Sequence, residues 1–261
     1  MPEIRLAGRE ILDYPRDMNR PYGLFIGPDG FQGWDGLPAG RREALARAVQ
    51  HGEYDVPVYL PSRVITVDGW IIAPDEYELG RETMRFTGIG ATGERMRVSV
   101  KHQGMILWAW CRRILAEAED TGVRVGKHLR SRFQLQLVCA DPRKYGETLS
   151  LPGARQDPPS SSATDTSILV VHQGNFPAFP LVEIPSAPAA YTISAGGSTF
   201  TVTGATPGLT HQVDLRSGRV FRAGVEMPGV GKGALWTVPP DRAVTHSLSV
   251  PGRVKITDTF V

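Results

Sequence analysis

Glycine and proline interrupt this sequence too often for long helices to dominate it. There are 29 Gly and 21 Pro among 261 residues, roughly a fifth of the chain, where average usage is roughly an eighth. Each Gly or Pro in a helix interior costs about 1 to 3 kcal/mol. The hydrophobic fraction of 41% is enough for a real core, which excludes wholesale disorder. What remains is a chain of many short elements joined by turns, mainly β, long enough for one large domain or two small ones.

Charge density divides the chain. Residues 1–146 carry 40 charged side chains and residues 147–261 carry 16. Between them lies Leu151-Pro152-Gly153-Ala154-Arg155-Gln156-Asp157-Pro158-Pro159, followed by Ser160-Ser161-Ser162, which reads as a joint. The expected organisation is an N-terminal domain over 1–150, a Pro/Ser-rich linker over 151–166 and a C-terminal domain over 167–261.

The second part reads as a run of short strands: Ile168–Val171, Leu181–Ile184, Tyr191–Ile193, Thr199–Thr203, His211–Leu215, Val220–Arg222, Leu235–Val238, Ser247–Val250 and Val254–Thr257. Arg216-Ser217-Gly218-Arg219 is a hairpin signal. Strands at such spacing, without helical runs, point to a sandwich or barrel. In the first part, Arg63–Val67, Trp70–Ile72, Arg97–Lys101 and Phe133–Cys139 carry strand patterns. Pro74-Asp75-Glu76 opens the best helix candidate, running to about Phe86. Arg41–Gln50 and Arg112–Glu119 are helix-prone by composition yet lie where neighbouring strands would want partners.

Several features resemble chemistry without supplying it. Gly88-Ile89-Gly90-Ala91-Thr92-Gly93 is a literal G-x-G-x-x-G, but it follows the helix candidate and precedes a strand. The dinucleotide fingerprint needs the opposite order, so a turn is expected. Gly231-Lys232-Gly233 lacks both the first Gly and the hydroxyl of a phosphate loop, and the Gly224–Gly233 stretch is expected to be a surface loop. His51, His102, His128, His172, His211 and His246 are scattered without metal spacing. No G-x-S-x-G elbow is present. Asp75-Glu76 and Glu117 with Glu119 read as helix-start or solvent-face carboxylates. No catalytic residue, cofactor or metal is indicated, and the expectation is a protein that is not an enzyme.

Partners are bounded by charge. With 29 basic against 27 acidic residues the formal net charge is +2, which is no footprint for specific nucleic-acid binding. No apolar stretch is long enough to span a bilayer, so no membrane insertion is expected, and Met1-Pro2-Glu3-Ile4-Arg5 lacks the pattern of a signal peptide. Cys111 and Cys139 sit in apolar or alternating segments and read as buried thiols of a protein made in a reducing cytosol. Trp108 and Trp110 flank Ala109, so on a strand they share one face that could stack a sugar ring or a base. Such pairs more often mark a core or a subunit contact, and Trp236 carries the same ambiguity.

Four stretches, taken in order, carry a family resemblance. Gly33-Trp34-Asp35-Gly36-Leu37-Pro38 precedes a basic segment ending His51-Gly52-Glu53-Tyr54-Asp55. Then come Arg63-Val64-Ile65-Thr66-Val67-Asp68-Gly69 and Arg132-Phe133-Gln134-Leu135-Gln136-Leu137, the latter running into Ala140-Asp141-Pro142-Arg143-Lys144-Tyr145-Gly146. Gln173-Gly174-Asn175 followed by Pro180-Leu181-Val182-Glu183-Ile184 has the look of a second-domain opening. The arrangement resembles the distal tail protein (Dit) family of long-tailed phages with non-contractile tails, especially minor tail proteins of actinobacterial phages.

The resemblance implies an N-terminal β-sandwich with one packed helix, closing with its copies into a hexameric ring, and a C-terminal galectin-like β-sandwich facing outward. It implies a virion tail-tip location after assembly in the host bacterial cytoplasm. The implied partners are the chain itself, the tail tube protein, the tail tip hub or tail-associated protein and a receptor-binding protein. It favours an extended Arg41–Gln50. Arg81, Arg85, Arg95, Arg97, Arg112 and Arg113 could set polar register across ring contacts, or simply form a solvated face. The other reading is a carbohydrate-binding β-sandwich protein that contacts host-surface glycans through Trp108 and Trp110 or the second domain.

Overall fold

The computed structural model describes residues 2–13, 22–125, 128–153 and 163–261. Strand dominates, with one α-helix among the described residues. Contacts divide the chain into two units, residues 1–144 with Val261, and residues 145–260. Most of the expected joint, residues 154–162, lies outside the described residues.

In unit 1, β1 (Glu3–Leu6), β2 (Arg9–Asp13), β3 (Gly23–Gln32), β4 (Arg63–Ala73), β5 (Met96–His102), β6 (Met105–Val125) and β7 (His128–Cys139) form a closed circuit. β1 pairs with β2, β2 with β3 in parallel, β3 with β4, β4 with β7, β7 with β6, β6 with β5, and β5 returns to β1. The result is a seven-stranded, barrel-like sheet where the resemblance implied an N-terminal sandwich. Closure leaves none of these strands with an unpaired edge along its whole length, which is how a barrel avoids edge association.

The alternation expected along these strands is what fills the interior. Ile65, Val67 and Ile71 of β4 are fully buried while Val64 is exposed; Phe133, Leu135, Leu137 and Cys139 of β7 behave like the first set. The two patterns read as Arg63–Val67 and Trp70–Ile72 are one continuous strand through Gly69. An added Cβ at Gly69 would lie 2.0 Å from the Phe25 carbonyl oxygen and 2.8 Å from the Phe133 ring, so only glycine fits there.

Helix α1 (Glu76–Thr87) starts at Asp75, whose side chain accepts a hydrogen bond from the Glu78 amide at 2.9 Å. Glu76 and Glu78 fill the first turn and Arg85 the last, in keeping with the helix dipole. Leu79 and Phe86 are its buried residues, and the Phe86 ring meets Phe133 at 4.7 Å between centroids. The helix therefore packs on the buried side of the circuit, against β4, β6 and β7. Gly88–Gly93 forms the turns that follow it, with the Ala91 and Gly93 amides donating to Gly88 and Gly90.

Arg112–Glu119 is strand, within β6, bound along β7 with register shifts at Arg113/Leu115 and Asp120/Val123. Arg41–Gln50 is not helical. It belongs to a 26-residue arm, residues 37–62, held as a loose hairpin by Arg41–Tyr59 and Ala46–Glu53 bridges.

Unit 2 contains β8 (Lys144–Leu151, whose first residue is counted with unit 1), β9 (Asp165–Val170), β10 (Leu181–Ile184), β11 (Tyr191–Ala195), β12 (Ser198–Val202), β13 (His211–Asp214), β14 (Arg219–Arg222), β15 (Val225–Glu226), β16 (Gly231–Gly233) and β17 (Val244–Phe260). One group runs β17–β10–β13–β14–β15, the other β9–β17–β11–β12–β16. β17 serves both, because it is irregular between Ser247 and Gly252. An added Cβ at Gly252 would come 2.5 Å from Ile184 and 2.8 Å from the Glu183 carbonyl, so the crossing requires glycine. Ile168, Ile193, Phe200 and Val202 from one group share a single core with Val182, Val213, Val220 and Ile256 from the other.

Three expectations change here. Ser247–Val250 and Val254–Thr257 are one long strand. Leu235–Val238 is not a strand: Val238 makes one isolated bridge to Ala178, because the preceding β16 has already taken the edge of β12. Within Gly224–Gly233, the stretch expected as a loop, Gly231–Gly233 pairs with Phe200–Val202 and Val225–Glu226 pairs with β14. Gly231 fits because it has no side chain to meet Phe200 and Val220, which a Cβ would approach to 2.6 and 2.9 Å.

Candidate functional site

Trp108 and Trp110 do share one face of β6, and it is the outer one. Leu107, Ala109 and Cys111 between and beside them are buried, whereas Trp108 is half-buried and Trp110 is 38% exposed. The two rings meet edge-on at 6.0 Å. Arg97 lies over Trp108 at 4.5 Å and Arg95 over Trp110 at 4.7 Å. Stacking at exposed positions such as these is worth about 0.5 to 1 kcal/mol per pair, and it covers ring faces that a sugar would otherwise use. The stripe continues in both directions, with Ile106 63% exposed and Ile114 55% exposed.

The other arginines singled out in the sequence are engaged within the chain. Arg81 pairs with Glu78, and Arg85 with Glu82 at 2.8 Å. Arg112 donates to the Gly93 carbonyl and Arg113 to that of Thr87. Glu82 also takes Arg9 at 2.6 Å; burial works to raise its pKa, but the two guanidiniums outweigh it and hold the carboxyl below its usual range.

A second constellation was not visible as chemistry in the sequence. Arg63 opens β4 and is almost wholly buried. Its Nε donates to the Pro142 carbonyl at 2.9 Å, and Nη1 lies 2.9, 2.9 and 3.0 Å from the carbonyls of Gly33, Trp34 and Gly36. Lys144 Nζ donates to the Trp34 carbonyl at 3.1 Å and sits 5.6 Å from the Trp34 ring centre. Burial lowers the pKa of both cations; Arg63 lowers that of Lys144 further, while Asp35 opposes the shift in each. Asp35 also meets His102 Nε2 at 3.2 Å. The Gly33–Leu37 corner is thus pinned by backbone carbonyls wrapped on a guanidinium. Nε and Nη1 supply the three N–H groups of this clamp, while the buried Nη2 has no hydrogen-bond partner among the described residues. The only sequence signal was the coexistence of Gly33-Trp34-Asp35-Gly36 with a lone Arg at the head of a strand.

The pinned corner launches the arm. No residue from 35 to 62 is buried, and Leu37, Leu45, Val49, Tyr54, Val58 and Tyr59 are all exposed, Leu45 by 74% and Val49 by 93%. Yet the arm is ordered by its own bonds: the Arg41 amide to the Tyr59 carbonyl at 2.7 Å, Tyr59 back to Arg41 at 3.0 Å, and the Tyr54 amide to the Leu45 carbonyl at 2.9 Å. Arg42 pairs with Glu53, and Arg47 lies over the Tyr54 ring at 5.7 Å. A long excursion with exposed apolar side chains and no core of its own is the usual form of a binding loop.

In unit 2, Trp236 packs at the margin of the core and donates Nε1–H to His246 Nε2 at 3.0 Å. His246 Nδ1 faces the Val244 carbonyl at 3.2 Å, which fixes the neutral tautomer with the proton on Nδ1; burial depresses its pKa. His172 accepts from the Gly174 amide at 3.0 Å, and its Nε2 meets the Val238 carbonyl at 3.1 Å. His211 lies between Tyr191 and the Thr206 carbonyl. These three histidines are bound into turns and core. Among the described residues, no three His, Cys, Asp or Glu side chains gather as a metal would need. Cys111 and Cys139 are free and buried, their pKa values pushed up to about 12 and about 11, chiefly by burial. No helix among the described residues is long and apolar enough to cross a membrane. A polar pocket of about 160 Å³ is lined by Asp68, Glu117, Glu119, Arg132, Phe133 and Gln134, and Gln134 already donates to Asp68 at 2.9 Å.

No protein-family model matches the sequence, and no curated protein does. Solved structures do. The crystal structure of the Dit protein of phage SPP1, described as a paradigm of the hub adsorption apparatus in phages that infect Gram-positive bacteria, matches over 100% of both chains, with a TM-score of 0.69 at 14% identity. A chain of the phage P2 baseplate in its activated conformation with calcium matches over 99% of this chain and 98% of its own length, with a TM-score of 0.51 at 8% identity. From end to end, therefore, this chain has a Dit-like fold.

Proposed function

We propose that this protein is a structural component of a phage virion: a distal-tail adaptor whose copies form a hexameric ring joining the tail tube to the tail tip or baseplate. The carrying observation is that both units, in order, match the SPP1 Dit chain along its full length. In this reading unit 1 makes the ring. Unit 2 is a galectin-like sandwich that faces outward and supports host-recognition parts. The protein is not an enzyme and works at the tail tip, with the tail tube protein, a tip hub and a receptor-binding protein as neighbours.

Two features of the chain support assembly. Six exposed apolar side chains on an arm without a core suit burial against another protein surface. A cyclic ring also needs two different patches on each subunit, one meeting the other on the next copy. Glycan binding has less support, because Arg95 and Arg97 lie on the tryptophan faces and Trp236 is bonded to His246.

Light scattering with negative-stain imaging, alone and with the tail tube protein, tests the reading. Closed rings of six copies are expected. A chain that stays monomeric in both conditions while binding glycans, with that binding abolished by Trp110→Ala, would overturn it.

A further inference from the structure

The two cysteines of the chain stand opposite one another inside the barrel. Arg112 of β6 pairs with Val138 of β7, and Arg113 with Leu137, in antiparallel register. One further step along that register sets Cys111 against Cys139. Cys111 is 2% exposed and Cys139 is fully buried, and each alternates with neighbours that reach solvent, so both side chains belong to the interior face. We propose that Cys111 and Cys139 are a latent cross-strand disulfide, which a small disulfide oxidant closes within one chain.

Strand geometry brings the pair into range. Directly opposed residues on antiparallel strands have Cα atoms about 4.5 or 5.5 Å apart, within the span of about 4.4 to 6.8 Å that disulfides bridge. Each position also closes a ladder. The β5–β6 ladder ends at Cys111, the β6–β7 ladder begins at Arg112, and β7 itself stops at Cys139. Ladder ends open more readily than ladder centres, which gives an oxidant access to thiols that the closed barrel hides.

The reaction is thiol–disulfide exchange, and the surroundings set its order. Arg63 lies across from Cys139 on β4, and its guanidinium favours the Cys139 thiolate. Burial still raises that thiol to about 11, but Cys111, with Cys139 adding to its burial, stands at about 12. Cys139 is therefore the first nucleophile. Its thiolate attacks one sulfur of the oxidant and expels the other half. Cys111 then attacks Cys139 Sγ in the mixed disulfide and expels the second half. The two thiol protons pass to the two expelled thiolates, so two protein thiols and one small disulfide become one protein disulfide and two small thiols.

The bond stands on the barrel's register alone; its use rests on the virion reading above. A protein assembled in a reducing cytosol and then carried outside the cell meets the change of redox compartment to which such a pair responds. There the link would tie β6 to β7 and hold the barrel closed.

Full-length protein purified under reductant tests it, with oxidised glutathione added in sub-denaturing urea. The intact mass is expected to fall by about 2 Da, the two hydrogens lost, with the chain still monomeric on a non-reducing gel. Digestion should yield a peptide that joins Cys111 to Cys139 and that dithiothreitol separates. The melting temperature should rise by about 3 °C or more, because the link closes residues 112–138 into a loop in the unfolded chain. Cys111→Ala should show neither the mass loss nor the rise. Free thiols, glutathione adducts or intermolecular disulfides as the end products overturn the pairing. An internal bond that fails to raise the melting temperature overturns it as well, because the native barrel would then not hold the two sulfurs in bonding position. All of these outcomes leave the ring reading to the scattering experiment.

Discussion

Arg63 illustrates how much one side chain can organise. Four carbonyls from two separate stretches, the Gly33–Gly36 corner and Pro142, converge on its guanidinium inside the barrel. Removing it would take that donor from the Gly33, Gly36 and Pro142 carbonyls and leave the Trp34 carbonyl only Lys144. Arg63→Met is therefore expected to lose about 2 to 3 kcal/mol of stability, read as a lower denaturant midpoint; a loss below about 1 kcal/mol would show that the clamp is dispensable. His246 makes a pH prediction. Its folded pKa is depressed by burial, and protonating it would remove the acceptor for Trp236. The unfolded chain takes up the proton near pH 6.5, as an ordinary histidine does, and the folded chain only at lower pH. The stability contributed by neutral His246 is thus complete above about pH 6.5 and declines as pH falls below it. His246→Gln, whose amide oxygen can still accept from Trp236, should flatten that part of the stability–pH curve. An unchanged slope between pH 5 and 7 would refute the assignment. Neither role stood out in the sequence, where Arg63 was the first letter of a strand pattern and His246 one of six scattered histidines.

At the level of elements, local composition decided some stretches and pairing decided others. Pro74-Asp75-Glu76 reads as the opening of a helix, and one forms from Glu76 to Thr87 behind Asp75 as its cap. Leu115-Ala116-Glu117-Ala118-Glu119 has the letters of a helix as well, yet it is strand, because β7 lies alongside and supplies a ladder from Val138 to His128. Propensities differ by only tenths of a kcal/mol per residue, so a long partner strand overrides them. The arm is the opposite case, an element that contributes almost nothing to its own unit's core. Residues 42–58 contain no buried side chain. Arg41 and Tyr59 are already hydrogen-bonded across its base. Replacing 42–58 by an Asn-Gly turn is expected to change monomer stability by less than about 1 kcal/mol, while abolishing ring formation in the scattering measurement. A large loss of stability would mean that the arm belongs to the fold rather than to assembly.

On the scale of the whole molecule, the two units have separate interiors. Unit 1 closes its strands into a circuit around Ile65, Leu135 and Phe133, and unit 2 encloses a core of its own from Leu151 to Ile256. A fragment spanning 145–260 is therefore expected to fold by itself, with a single cooperative thermal transition and dispersed amide resonances; a molten fragment would show that the first unit is needed to complete it.

The sequence alone determined the β-rich class and the one helix opening at Pro74-Asp75-Glu76, because these follow from local chemistry: where a backbone can bend and where alternation buries one face. It did not determine that seven strands close on themselves, that two patterns merge through Gly252 into one strand, or that Trp108 and Trp110 face outward beneath two arginines. Those depend on which distant segments become neighbours, and a period-two pattern is the same whether its strand lies in an open sheet or a closed one. The glycines and prolines marked where the chain could turn; the tertiary structure decided which turns brought a guanidinium to four carbonyls and left an arm in solvent.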